Sequence, residues 1–244
     1  MYFMEYRIIS KPSYSLVEFK LGYGESVVAE AGAMVYMKNV DMETKAFGGI
    51  VSGLKRKILG GESFFMNVFR GKEGNGIVGL APPFPGDVEV VENANTELFV
   101  QHTSLLACDE NTNIDTKFIG FKKFLLGREG AFFLKLTNSA WAFLASFGGI
   151  ERIDLENDEF IVDNGNIVAF TGTLEWDVKP VKSAKSFFFS GEGFVFEFRG
   201  TGSIWIQTRT TDAFMNWVKG HIALESGTTG GIAGALITDI LKSR

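Results

Sequence analysis

A chain of 244 residues, 45% hydrophobic and 22% charged, has the composition of a globular protein and the length of one large or two ordinary domains. Its formal charge of −5 argues against a protein that wraps nucleic acid, and its single cysteine, Cys108, excludes an intrachain disulfide and reads as a buried free thiol. Phenylalanine is the outlier at 24 copies; aromatic residues suit half-buried pleated surfaces, so the chain leans toward β, with 29 glycines to supply turns and bulges.

Residues 1–13 carry charges and no apolar h-region, so no signal peptide is expected. No apolar run approaches the roughly 18 residues of a membrane span, and the expected location is the cytoplasm. Residues 5–10 and 14–21 read as the first two strands, split by a turn at Lys11-Pro12-Ser13. In the second of them Ser15, Val17, Phe19 and Leu21 alternate with Tyr14, Leu16, Glu18 and Lys20, and the first set should face the core. Ser26–Glu30 and Met34–Lys38 follow as strands, joined by a short turn at Ala31-Gly32-Ala33.

Two elements then recur. Residues 54–69, LKRKILGGESFFMNVF, return as FKKFLLGREGAFFLKL at 121–136 and AKSFFFSGEGFVFEFR at 184–199. Each copy has Lys second, a bulky apolar pair, a Gly-containing turn with Glu, and a Phe-rich run. Residues 25–37, ESVVAEAGAMVYM, return as TELFVQHTSLLAC at 96–108 and DEFIVDNGNIVAF at 158–170. Two elements repeating in the same order at nearly the same period predict an internal triplication. Ala81-Pro82-Pro83-Phe84-Pro85-Gly86 holds three of the five prolines and must turn, and Phe147-Gly148-Gly149 stands at the next boundary. A short strand should follow each, at 87–91 and 151–155. The expected division is 1–85, 86–149 and 150–209 as three β units, with 210–244 as a Gly-rich helical tail. In the tail Asp212 can cap a helix to about residue 225, with Phe214, Trp217, Val218 and Ile222 at helical spacing; 232–241 can form a second short helix.

No catalytic constellation is apparent. The two histidines, His102 and His221, lie in elements far apart, so no metal site and no cofactor is expected. The Gly-rich stretch 46–53 lacks the Gly-Lys-Ser/Thr of a phosphate loop, and Gly-x-Ser-x-Gly is absent. Arg199 and Arg209 have no partner identifiable from sequence. Glu62, Glu129 and Glu192 recur at one register and could converge to bind a cation or to act as acid and base; the plainer expectation is a structural role at each turn. The basic residues Lys55, Arg56, Lys57, Lys122, Lys123 and Lys185 could form rims for phosphates or anionic lipid head groups, or simply protect strand edges from aggregation.

Several short motifs occur in one order: Glu30-Ala31-Gly32-Ala33-Met34; Leu54-Lys55-Arg56 with Gly60-Gly61-Glu62-Ser63-Phe64-Phe65; Gly79-Leu80-Ala81-Pro82 followed by Pro85-Gly86; Gly191-Glu192-Gly193; and Gln207-Thr208-Arg209. With them the chain resembles, over residues 4–210, the altered-inheritance-of-mitochondria family of bacterial and archaeal proteins and their mitochondrial relatives. The resemblance implies an all-β fold of three tandem units similar to the tryptophan RNA-binding attenuator protein (TRAP-like), each a short double-stranded β-helix in a pseudo-threefold arrangement. It carries no catalytic motif, and a shared fold does not carry tryptophan or RNA binding with it. The mitochondrial relatives are associated with inner-membrane organisation. The expected function is therefore a non-enzymatic, self-associating β-scaffold, a homo-oligomer that organises a protein partner, peripheral to a membrane surface. The alternative is a binding module for an anionic ligand, held on the basic rims.

Overall fold

The computed structural model describes residues 4–46, 65–92, 96–119, 131–180 and 194–226. Two units are distinguished, Met1–Thr208 and Arg209–Arg244. Among the described residues the first is β apart from two single turns of 3-10 helix, and the second holds one helix. The expected all-β class is thus what the chain adopts.

The strands come in three runs. The first holds β1 (Glu5–Ile9), β2 (Leu16–Leu21), β3 (Ser26–Glu30), β4 (Met34–Lys38), β5 (Val40–Ala46), β6 (Phe65–Gly71) and β7 (Gly76–Leu80). The second holds β8 (Val88–Glu92), β9 (Leu98–Gln101), β10 (Leu105–Asp109), β11 (Asn113–Ile119), β12 (Ala131–Thr137) and β13 (Trp141–Ala145). The third holds β14 (Ile150–Asp163), β15 (Ile167–Thr171), β16 (Glu175–Pro180) and β17 (Phe194–Gln207). Alternation sets the inward face as the sequence suggests: Ser15, Val17, Phe19 and Leu21 are buried and Lys20 is exposed. Glu18, on the other face, is buried as well, for a reason given below.

The strand expected at 151–155 is not separate. It runs on into 158–163 as the single strand β14, paired along its whole length with β17, with a bulge between Leu155 and Asp158. Asn157 and Gly200 take positive φ there, 55° and 105°, so the ribbon bends without breaking. Each of these two long strands therefore acts as two consecutive short ones.

Counted that way, the same pairing occurs three times, beginning at β2, β8 and β14. The first strand of each run pairs with the sixth and the sixth with the third: β2–β7–β4, β8–β13–β10, and residues 150–155 of β14 with the second half of β17 and then β15. The second pairs with the fifth and the fifth with the fourth: β3–β6–β5, β9–β12–β11, and residues 158–163 of β14 with the first half of β17 and then β16. Each run thus makes two half-sheets.

Half-sheets of consecutive runs join. The order β5-β6-β3-β10-β13-β8 is a half-sheet of the first run continued by one of the second. The order β11-β12-β9-β15-β17-β14 does the same between the second and third. The remaining sheet is β1-β2-β7-β4. The core follows the layers. One cluster packs Phe19, Val27, Phe69 and Leu80 with Leu106, Trp141 and Phe143. A second packs Val28 and Met66 with Leu105, Cys108 and Leu134, and with Val168 and Trp205. A third gathers Phe133, Phe170, Phe196, Phe198 and Ile204. The abundant phenylalanine is spent here: Phe170 meets the rings of Phe99, Phe133, Phe196 and Phe198 at 5.0–6.4 Å.

The boundary turns are close contacts. Gly86 and Gly148 form a parallel bridge, and a Cβ on Gly86 would fall 1.6 Å from the Ser146 carbonyl oxygen, so glycine is required there. Phe84 and Phe147 meet edge to face at 6.1 Å. Asp87, just after the first boundary, is buried; its Oδ1 accepts from the Ser15 hydroxyl and the Val88 amide, and Lys11 Nζ lies 3.6 Å away.

In the second unit α1 spans Thr211–Ser226. Its cap is Thr210, whose hydroxyl accepts from the Ala213 amide at 3.1 Å, and Asp212 sits inside the first turn instead of at the cap. The acid still favours the positive end of the helix dipole.

Candidate functional site: two open strand edges

In the first run the third strand is β4, MVYMK. Its counterparts are β10, LLACD, and β15, IVAFT. All three are apolar, and the sequence recurrence aligns them residue for residue. Their surroundings differ. Leu105, Leu106, Ala107 and Cys108 are each 0% exposed, as are Ile167, Val168, Ala169 and Phe170. Met34, Val35, Tyr36 and Met37 are 37%, 55%, 38% and 43% exposed.

The cause is a missing neighbour. β10 is flanked by β13 and β3, and β15 by β17 and β9. β4 is flanked by β7 and ends its sheet, with no second partner among the described residues. The second strands tell the same story in reverse. β3 is covered by β10 and β9 by β15, whereas residues 158–163 of β14 pair with β17 alone and end their sheet. Phe160 is 36% and Ile161 61% exposed, while Val27 and Leu98, the counterparts of Phe160, are buried. An unpaired edge offers a row of backbone donors and acceptors to an added strand.

The β4 edge is held in shape by a row of cross-strand neighbours. Arg7, Glu18, Gly79 and Tyr36 lie opposite one another across β1, β2, β7 and β4. The Tyr36 hydroxyl donates to Glu18 Oε2 at 2.6 Å and Arg7 Nε donates to Oε1 at 2.8 Å. The Tyr36 and Arg7 hydrogen bonds hold the Glu18 carboxyl below its ordinary range, so it stays ionised though buried. Tyr36 reaches Glu18 because its ring crosses over Gly79, where a Cβ would stand 2.5 Å from the ring.

Glu30 ends β3, just before the turn into β4. Burial pushes its carboxyl up to about 7. Gln101 and Asp163 are its counterparts; Asp163 is tied down by the Gly165 amide at 2.8 Å. Cys108 is fully buried, and burial pushes its thiol up to about 12, so it is inert, as expected of a core thiol. Arg199 does have partners: Nε donates to Glu159 at 2.7 Å and the guanidinium lies 3.0 Å from Glu197. His221 is exposed, its Nδ1 2.8 Å from the Trp217 carbonyl oxygen. His102 lies in the 3-10 turn between β9 and β10.

The basic and acidic residues singled out from sequence are not among those described. Lys55, Arg56, Lys57 and Glu62, Lys122, Lys123 and Glu129, and Lys185 and Glu192 fall in 47–64, 120–130 and 181–193, outside the described residues. These stretches connect the fourth strand to the fifth in each run. Residues 232–241 also lie outside the described residues. Among the described residues no three metal-ligating side chains cluster, and no helix is long and apolar enough to cross a membrane.

Comparison with known proteins agrees with this architecture. The sequence model of the family described as mitochondrial biogenesis AIM24 matches residues 6–209. An uncharacterised protein of Streptococcus pyogenes serotype M6 is 29% identical over 231 residues, covering 91% of this chain and 93% of that protein. An X-ray crystal structure of a Streptococcus pyogenes protein from a structural genomics programme superimposes with a TM-score of 0.74 at 28% identity, over 90% of this chain and 100% of that one.

Proposed function

The chain belongs to the mitochondrial biogenesis AIM24 family, and from that premise we propose that it is a non-enzymatic β-scaffold that self-associates and organises a partner. The observation that carries this reading is the pair of open edges. β4 and residues 158–163 of β14 expose apolar side chains at positions that are covered in every other copy of the pattern. Leaving such edges bare invites another strand, and the apolar area they display is of the kind that marks an interaction site.

The helical unit offers a second surface for the same purpose. Phe214 and Trp217 stack at 6.2 Å and are 46% and 60% exposed. An aromatic face of this kind suits a bilayer interface, and we place the partner at a membrane surface on that ground.

The test is the solution mass by light scattering, over a concentration series at low and high salt. A mass that rises to a multiple of 26.9 kDa at both salts supports assembly through apolar edges, which salt does not weaken. A protein of 26.9 kDa at every concentration refutes the scaffold reading. It turns attention to anionic ligands on the recurring basic residues, whose binding would fall steeply with salt.

A further inference from the structure

The two open edges are complementary halves of one junction. Inside the chain, the second strand of one run pairs with the third strand of the next, and it does so twice. β3 pairs with β10 as Ala29↔Ala107, Val28↔Cys108 and Val27↔Asp109. β9 pairs with β15 as Val100↔Ala169, Phe99↔Phe170 and Leu98↔Thr171. In the recurring element Ala29, Val100 and Val162 are equivalent, and so are Tyr36, Ala107 and Ala169. The two junctions therefore share one register as well as one direction. Three runs in a row make two junctions and leave one third strand and one second strand over. These are β4 and residues 158–163 of β14, and they close the ends of two different sheets.

We propose that a second copy of this chain fills each open edge: residues 158–163 of one copy pair antiparallel with β4 of the next, in the register of the two internal junctions. This deepens the scaffold reading and rests on it. The register is Val162 opposite Tyr36, Ile161 opposite Met37, and Phe160 opposite Lys38. It joins the half-sheet β14–β17–β16 of one copy to the half-sheet β4–β7–β2 of the next, so that each copy-to-copy sheet has the plan of the two sheets within the chain, with β1 added beyond β2. It covers Phe160, Ile161, Met37 and Tyr36 together. It also sets Lys38 on the diagonal to Asp158, an opposite-charge neighbour across the strands.

The choice of a second copy over a foreign strand follows from continuity. Both halves of the joint are carried by every molecule, and the joint is already made twice within it. The contact is head to tail, because different edges meet, so assembly proceeds to a closed ring or an open filament and not to a simple two-fold dimer.

Cysteine pairs test it. Two variants, Met37→Cys and Ile161→Cys, are mixed and treated with oxidised glutathione; Lys38→Cys with Phe160→Cys is the second pair. Consecutive cross-strand pairs alternate between the wider hydrogen-bonded and the closer non-hydrogen-bonded kind, so one of the two has the spacing a disulfide needs. All four positions lie on open edges, and the native Cys108 is fully buried and silent. The expected result is a disulfide-linked pair of chains from at least one mixture, none from any variant alone, and none when Tyr23→Cys replaces the β4 variant. Assembly by mass without a cross-link in either mixture overturns this interface and leaves the scaffold reading standing. A cross-link from one variant alone shows like edges meeting and also overturns it. A monomer at every concentration defeats both.

Discussion

Residues 34–37 and 105–108 make an instructive pair. Both are four apolar residues in the third strand of the same pairing pattern, each entered through a short turn from the second strand. One set is wholly buried, and the other is more than a third exposed throughout. Nothing in the two segments themselves explains this. The difference is a neighbour: β3 lies against β10, and no described strand lies on the outer side of β4. In a tandem array the burial of a residue depends on its unit's place in the row, since each unit is finished by the one beside it. β14 repeats the point at the other end of the row, where Ile161 is exposed and Val28 and Phe99, its counterparts, are not.

The sharpest way to break this comparison is to truncate equivalent side chains. Phe170→Ala should destabilise the protein by about 3–5 kcal/mol, because it empties the centre of an aromatic cluster. Met37→Ala, at the same position of the recurrence, should cost under about 0.5 kcal/mol in dilute solution, where the edge is bare. Urea melts at low protein concentration measure both. Equal losses would show that β4 is covered after all.

A second comparison uses charge. Glu30→Gln gives the first run the residue that the second carries at Gln101. The folded protein holds the Glu30 carboxyl at about 7, above its unfolded value of 4.5. Between those values the unfolded chain loses the proton and the folded one keeps it, so the glutamate erodes stability as pH rises and the loss is complete above 7. The variant should match the parent at pH 4 and exceed it by on the order of 1–3 kcal/mol at pH 8. Parallel curves at the two pH values would contradict the burial of this carboxyl.

A smaller effect is expected at Tyr36, where β10 and β15 carry Ala107 and Ala169. Tyr36→Phe removes the hydroxyl that donates to Glu18 and should cost about 1 kcal/mol. The Glu18 carboxyl keeps Arg7 as a partner but loses the first cause of its lowered pKa, so its titration, followed by NMR, should move upward. An unmoved titration would mean that the row Arg7–Glu18–Tyr36 is not coupled.

Much of the architecture was legible from residues alone. The alternation around Val17, Phe19 and Leu21 announces a strand with one face in the core, and the Phe-rich runs announce the β class. The recurrence at 25–37, 96–108 and 158–170 marks two strands and their turn in each run. What was not legible is sheet order. The distant pairings β2–β7 and β3–β10 leave no local trace, and a strand that continues through a bulge, as β14 does past Asn157, reads as two. The open edges were hidden for a related reason. Met34 and Ile161 look like core residues because their counterparts are core residues. The basic and acidic candidates, Lys55 and Glu62 among them, stood out because they recur at one register of the repeated element, yet they fall outside the described residues. A count of junctions against runs would have pointed to β4 and β14.

Amide hydrogen exchange tests the central claim most directly. The protein is labelled at low and at high concentration, and β4 is compared with β10 and β15. An edge strand leaves alternate amides free, so in dilute protein residues 34–38 and 158–163 should exchange far faster than residues 105–109 and 167–171. At high concentration both edges should slow together, toward the rates of their buried counterparts. Exchange at β4 that is slow when dilute, or that ignores concentration at both edges, would contradict the account.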